Sequence, residues 1–244
     1  MQINNKQAMV TGGSQRVGAR IALNLARLGY DILIHYNSSQ DKAIDLQEQV
    51  KKNNVKCFIF KANLFDMAEV AKLFDYAIEK LPGLDLIINN ASIFNKISHD
   101  NTTIDDIDRN FSLHFKAPFL LTQLLARHKD KKANVINIID NAITGCNPEY
   151  FAYLLSKKCL FELTRMQARV LGPNIRVNAI APGSIYTPID DTDSSYMTKR
   201  ANMVPLKMAG NVDYINTGIE YLLNNPFVTG QCLFIDGGAE LLKD

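Results

Sequence analysis

The sequence lacks the features that mark a membrane, nucleic-acid-binding or disulfide-framework protein. No apolar run reaches the roughly 18 residues needed to cross a bilayer. Neither charge sign is in excess: 27 lysines and arginines stand against 25 aspartates and glutamates, a net charge of +2. That balance gives no electrostatic footprint for nucleic acid or an anionic membrane surface. The four cysteines, Cys57, Cys146, Cys159 and Cys232, are scattered. They have no paired metal-ligand spacing, so they read as reduced thiols of a cytoplasmic protein, with no metal site. The stretch from Met1 to Lys6 lacks the apolar core of a signal peptide, and secretion is not expected. Internal repeats, linkers and low-complexity tracts are absent too. What remains is a chain of 244 residues, 47% hydrophobic and 21% charged. This suits one domain spanning 1–244, long enough to bury roughly 70–75% of its unfolded surface.

Short apolar runs alternate with longer amphipathic segments. The expected strands are Gln7–Val10, Asp31–His35, Lys56–Phe60, Leu84–Ile88, Asn134–Ile139, Ile175–Ile180 and Cys232–Ile235. The expected helices are Gln15–Leu28, Asp41–Lys52, Met67–Lys80, about Thr103–His128, and Glu149–Val170. Strands that are apolar throughout and separated by helices predict a parallel sheet buried on both faces. Right-handed crossovers then give a single-domain, Rossmann-type α/β fold: seven parallel strands, doubly wound, with helices on both faces. The segment Ser184–Pro205, rich in Asp, Ser and Thr, is long for a connection. It follows a strand's C-terminal end, where such sheets bind ligands, and is expected to be a substrate lid.

Thr11-Gly12-Gly13-Ser14-Gln15-Arg16-Val17-Gly18 joins the first strand to the first helix. Gly12 permits a tight turn, Gly18 permits close helix packing, and the helix N-terminus suits a pyrophosphate. The second strand ends in His35-Tyr36-Asn37-Ser38-Ser39, without the acidic residue that bonds a ribose 2′-hydroxyl in NAD-specific sites. His35, Asn37, Ser38 and Ser39, with Arg16 nearby, could instead hold a 2′-phosphate, which favours NADPH over NADH; ordinary turn residues are the alternative. Asn63-Leu64 is placed to meet an adenine edge. Asn89-Asn90-Ala91-Ser92 lets the backbone pass close to a nicotinamide ribose. Tyr153 and Lys157, four apart, fall on one helix face, so the ammonium is expected to lower the phenol's pKa and make Tyr153 a proton donor. Asp140 lies thirteen positions upstream of Tyr153.

In this order the motifs resemble the short-chain dehydrogenase/reductase family over essentially the whole chain. Pro182-Gly183 with Ser184 after the sixth strand, and Asp236-Gly237-Gly238 after the seventh, complete the match. Three residues narrow the resemblance. Arg16 stands where most of the family has glycine, Asp140 where most have serine, and Phe94 follows Asn90-Ala91-Ser92. Together these are similar to the pteridine reductase branch, which includes dihydromonapterin reductases. The resemblance implies that Arg16 contacts cofactor phosphate and pterin, that Phe94 stacks on the pterin, and that Asp140 sits beside the tyrosine. It also implies a homotetramer formed through the two long helices and the C-terminal strand region.

The chemistry is coherent on its own. A carboxylate accepts from a pterin's ring N–H groups, whereas a serine suits a ketone oxygen. A ring face such as Phe94 can sandwich a flat heteroaromatic. The expected reaction is therefore NADPH-dependent reduction of a dihydropterin, with Tyr153 as proton donor, Lys157 orienting the nicotinamide ribose, and Ser92 and Tyr186 lining the pocket. Plainer roles stay open: Phe94 as a core aromatic, Arg16 as a pyrophosphate anchor only, and Asp140 as a helix cap. His114 stands where the family carries an asparagine of the proton relay. It is either a substitute in that relay or a structural residue, with Asn110 as an alternative partner. Two rival functions remain, a generic carbonyl reductase of 3-oxoacyl or sugar substrates and a non-catalytic NADPH-binding regulator.

Overall fold

The computed structural model describes residues 6–128, 132–187 and 193–242. Seven strands form one sheet: β1 (Lys6–Val10), β2 (Tyr30–Tyr36), β3 (Cys57–Lys61), β4 (Leu86–Asn89), β5 (Ala133–Ile138), β6 (Ile175–Pro182) and β7 (Cys232–Ile235). Their order is β3-β2-β1-β4-β5-β6-β7, and every neighbouring pair is parallel. The order reverses at β1, whose neighbours are β2 and β4, so a crevice opens at their C-terminal ends.

Alternation along β1 sorts the core into two layers. Ala8 and Val10 face one side with Ile21 and Leu25 of α1 (Arg16–Arg27) and Leu46 of α2 (Gln40–Lys51). Met9 faces the other side with Leu73 and Phe74 of α3 (Met67–Lys80) and Leu121 of α5 (Ala117–His128). All of these side chains are buried. Fully burying one such side chain contributes roughly 1.5–3 kcal/mol.

Three features differ from the sequence expectation. The single helix expected over Thr103–His128 is two helices, α4 (Ile104–Phe111) and α5, joined by a π-helical turn at Ser112–Lys116. That turn inserts a residue without disturbing the apolar pattern enough to be read. The expected lid contains a helix, α7 (Tyr196–Met203), while its residues 188–192 lie outside the described residues. An additional helix, α8 (Val212–Asn224), precedes β7 and packs Val212, Ile215, Ile219 and Leu222 on the α1 side. Its stripe is interrupted by Asn216 and Gly218, which weakens its periodicity in the sequence. The helix α6 (Phe151–Leu171) carries the Tyr153–Lys157 pair in its first two turns.

Candidate active site

The glycine-rich turn is held from behind by the end of β4. Thr11 Oγ1 accepts the N–H groups of Asn90 (3.0 Å) and Ala91 (3.1 Å), and Asn90 Nδ2 donates to the carbonyls of Thr11 and Gly12, each at 3.0 Å. Gly12 has φ of 59°, and a Cβ there would lie 2.8 Å from Ala91 Cα. At Gly18 a Cβ would press on the Gly12 carbonyl and Asn90 Nδ2, so glycine brings α1 against the turn. The first turn of α1 has no side-chain cap and no acidic residue. Its free N–H groups around Ser14, Gln15, Arg16 and Val17 therefore form a donor set that fits a diphosphate.

Arg16 occupies the left-handed region, with φ of 51°. Left-handed backbone costs a residue with a side chain roughly 1–2 kcal/mol. Its guanidinium turns toward the segment that follows β6 rather than the end of β2. It donates to the Thr187 carbonyl at 3.0 Å and lies 5.2 Å over the Tyr186 ring.

His35 is not a phosphate ligand in this arrangement. It is 2% exposed, its Nδ1 accepts the Gly12 N–H at 3.0 Å, and its Nε2 lies 3.0 Å from the Ala62 carbonyl. Burial lowers its pKa to about 4, so it stays neutral and ties the turn to β2 and β3. Tyr36 is likewise buried, whereas Asn37 and Ser38 are exposed. A cation that the motif reading did not single out reaches the glycine-rich turn: Lys42, in the first turn of α2, donates to Gln15 Oε1 at 2.9 Å. Asn63 Oδ1 accepts the Phe65 N–H at 3.2 Å, and Leu64 is buried. Across the crevice, Gly183 N–H bonds the Ile235 carbonyl at 3.0 Å. Ser184, next to Pro182 and Gly183, accepts from Arg200 Nε at 2.9 Å.

Asp140 and Tyr153 meet directly. The phenol donates to Asp140 Oδ2 at 2.7 Å, while Oδ1 accepts the Ala142 N–H at 2.7 Å and caps the 3₁₀ turn Asn141–Thr144. One carboxylate is thus both a cap and the tyrosine's partner. Lys157 is 2% exposed, donates to the Ile138 carbonyl at 3.0 Å and lies 5.8 Å from the centre of the Tyr153 ring. The expectation that Lys157 lowers the phenol is reversed here. Burial and then the Asp140 charge hold Tyr153 well above its ordinary value. Burial brings Lys157 down to about 8, against an opposing pull from Asp140.

Phe94 is 52% exposed. It stacks on Tyr150 with centroids 4.6 Å apart and planes at 19°, and it meets Tyr153 edge-on at 4.9 Å. Tyr150 is a second residue that the motifs alone did not single out. The signal available was its position three residues before Tyr153. His114 bonds Ser92, Ile93 and Ser156, and Asn110 Nδ2 bonds the Asp106 carbonyl at 2.8 Å on its own helix. A separate cavity of about 370 Å³ is walled by Ile185, Arg200, Val204, Leu206, Met208 and Phe234. Asp140, Tyr153 and Lys157 are not among its walls. Among the described residues, no group of His, Cys, Asp and Glu could hold a metal ion.

Residues 13–240 match the family described as Enoyl-(Acyl carrier protein) reductase. A 3-oxoacyl-[acyl-carrier-protein] reductase, FabG, of Staphylococcus epidermidis is 30% identical over 246 residues, covering 96% of this chain and 98% of the relative. A short chain dehydrogenase of Emericella nidulans, mdpC, is 28% identical over 255 residues, covering 98% of this chain and 96% of its own. Among solved structures, the FolM alternative dihydrofolate reductase 1 from Brucella canis, complexed with NADP, is similar with a TM-score of 0.91 and 31% identity. The similarity covers 99% of this chain and 96% of that one.

Proposed function

Since the chain belongs to the short-chain dehydrogenase/reductase family, we propose that it is an NADPH-dependent reductase taking a dihydropterin to the tetrahydro form. The observation that carries this reading is Asp140, bonded at 2.7 Å to the Tyr153 hydroxyl beside the exposed Phe94 ring. A carboxylate accepts from the ring N–H and amino groups of a pterin and has no proton of its own to offer a ketone oxygen. The FolM structure from Brucella canis supports both the cofactor and the substrate class.

The turn residues 14–17 and Gly183 fit the cofactor's diphosphate and nicotinamide ends, and Asn37, Ser38 and Lys42 fit a 2′-phosphate. Bound there, NADPH supplies the hydride that reduces a ring C=N carbon. The chain's own groups supply the proton for the neighbouring nitrogen. Tyr153 keeps its proton because burial and Asp140 hold the phenol high. The buried Lys157 ammonium offsets the negative charge left when that proton departs. Phe94, braced by Tyr150, offers a flat face to a flat substrate. Arg16 lies between the turn and Tyr186, where it can bond phosphate or pterin oxygen with its planar fork.

The Staphylococcus epidermidis relative supports a second reading, reduction of a 3-oxoacyl carbonyl. Turnover of dihydrobiopterin, dihydromonapterin, dihydrofolate and an acetoacetyl thioester, measured side by side as loss of NADPH absorbance, separates the two. The pterin reading requires a dihydropterin to have the highest kcat/KM; a preferred thioester sinks it. The half-exposed Phe119 on α5 and Leu155 on α6 fit a homotetramer. The four unpaired cysteines fit a reducing, cytoplasmic setting.

A further inference from the structure

His114 stands where the family resemblance places an asparagine, and both of its ring nitrogens have hydrogen-bond partners. Its Nε2 accepts the N–H of Ile93 at 3.3 Å and lies 3.0 Å from Ser92 Oγ. A backbone N–H can only donate, so Nε2 carries no proton in this arrangement. The proton of the neutral ring is then on Nδ1, which lies 2.9 Å from Ser156 Oγ. Ser156 Oγ in turn donates to the carbonyl of Tyr153 at 2.6 Å. The chain of bonds runs Ile93 N–H, His114, Ser156 hydroxyl, Tyr153 carbonyl. It joins the segment that carries Phe94 to the helical turn that carries Tyr153.

Two further observations place His114 between the groups that would grip a substrate. Its ring meets the Tyr153 ring edge-on with centroids 5.5 Å apart, while Phe94 meets the same ring at 4.9 Å. It lies in the middle of the π-helical turn Ser112–Lys116 and is 1% exposed. Such single π turns redirect one side chain inside an otherwise regular helix. An asparagine amide ends nearer its Cβ than the imidazole Nε2 does, so from this position it cannot reach Ile93 while holding Ser156.

We infer that His114 is a neutral positioning residue, a strut that sets the spacing between the Phe94 ring and the Tyr153 hydroxyl, and not a member of a proton relay. The inference rests on the short-chain reductase activity and does not depend on the substrate being a pterin. Burial and the nearby Lys157 charge both disfavour the imidazolium, in keeping with the hydrogen-bond geometry.

The test uses the full-length protein, its best substrate, and the variants His114→Asn, Ser156→Ala and the double variant. Misplacing a reacting group lowers turnover by roughly ten- to a hundredfold. Each single variant is expected to lose kcat in that range and to raise the substrate KM, with NADPH affinity by fluorescence titration unchanged. The double variant is expected to be no worse than the poorer single one, because both break the same strut. The nitrogen NMR spectrum of the wild-type imidazole should show the neutral Nδ1–H form from pH 5 to pH 8, roughly the range in which an ordinary histidine titrates. Ser156→Ala removes only a hydroxyl and keeps the test decisive if His114→Asn does not fold. Unchanged kcat and KM in Ser156→Ala would overturn the strut. So would an acid limb in the wild-type pH profile that matches a His114 titration in the spectrum and disappears in His114→Asn.

Discussion

The surroundings of Tyr153, the proposed proton donor, resist its ionisation. A tyrosine–lysine pair at helical spacing suggests a phenol made more acidic, yet the Asp140 carboxylate 2.7 Å away and burial act in the opposite direction. Over the working range the phenol is therefore protonated, and the group that titrates is Lys157, brought down to about 8 by burial. For the free enzyme, kcat/KM should be level below pH 8 or so and fall above it, as Lys157 loses the charge that supports proton departure. Removing the Asp140 charge withdraws a pull that raises both Lys157 and Tyr153. The alkaline limb of Asp140→Asn should therefore move to lower pH. A pH–rate profile of the two proteins checks this, and a limb that stays put or moves upward contradicts the electrostatic assignment.

At the scale of elements, the glycine-turn side of the candidate site is built where β1, β2 and β4 end, and the turns there divide the labour. The β1–α1 turn offers free amides, Asn90 and His35 brace it from behind, and the start of α2 brings in Lys42. If Lys42 meets the 2′-phosphate, Lys42→Met should raise the KM for NADPH roughly tenfold, the size of one charge-assisted bond, and leave NADH almost untouched. Steady-state kinetics with both cofactors reads this directly, and an equal loss for both would remove Lys42 from the phosphate site. These elements also show how far the sequence can be read. The glycine turn, the apolar strands and the α6 pair depend on local spacing, which is visible in the order of residues. Asp140 and Phe94 came from the family resemblance and Tyr153 from its spacing to Lys157, and the fold brings the three together. His35 looked like a phosphate donor because it adjoins exposed Asn37 and Ser38, but strand alternation and the Gly12 N–H draw it inward. Lys42, Tyr150 and Ser156 carried no motif, since their roles depend on contacts between separate segments. The π turn at Ser112–Lys116 escaped because one inserted residue leaves the apolar stripes of α4 and α5 nearly in phase.

The described residues form one continuous sheet with an apolar layer on each face, and the candidate site lies in the crevice at the carboxyl ends of the strands. Exposed apolar side chains elsewhere, among them Phe119, Leu155, Met166 and Val170, lie on α5 and α6, away from that crevice. Four copies joined through these helices would cover them. Light scattering should give the mass of four chains for the wild type, and a smaller species for Phe119→Glu with Leu155→Arg; a monomeric wild type contradicts the assembly. The central claim is that Asp140 makes this short-chain reductase a reductase of pterins instead of ketones. Its most direct test is the ratio of kcat/KM for a dihydropterin to that for an acetoacetyl thioester, measured with NADPH for the wild type and for Asp140→Ser. The account predicts a ratio well above one that collapses in Asp140→Ser while thioester turnover rises. A ratio below one in the wild type, or one that the substitution leaves unchanged, contradicts it.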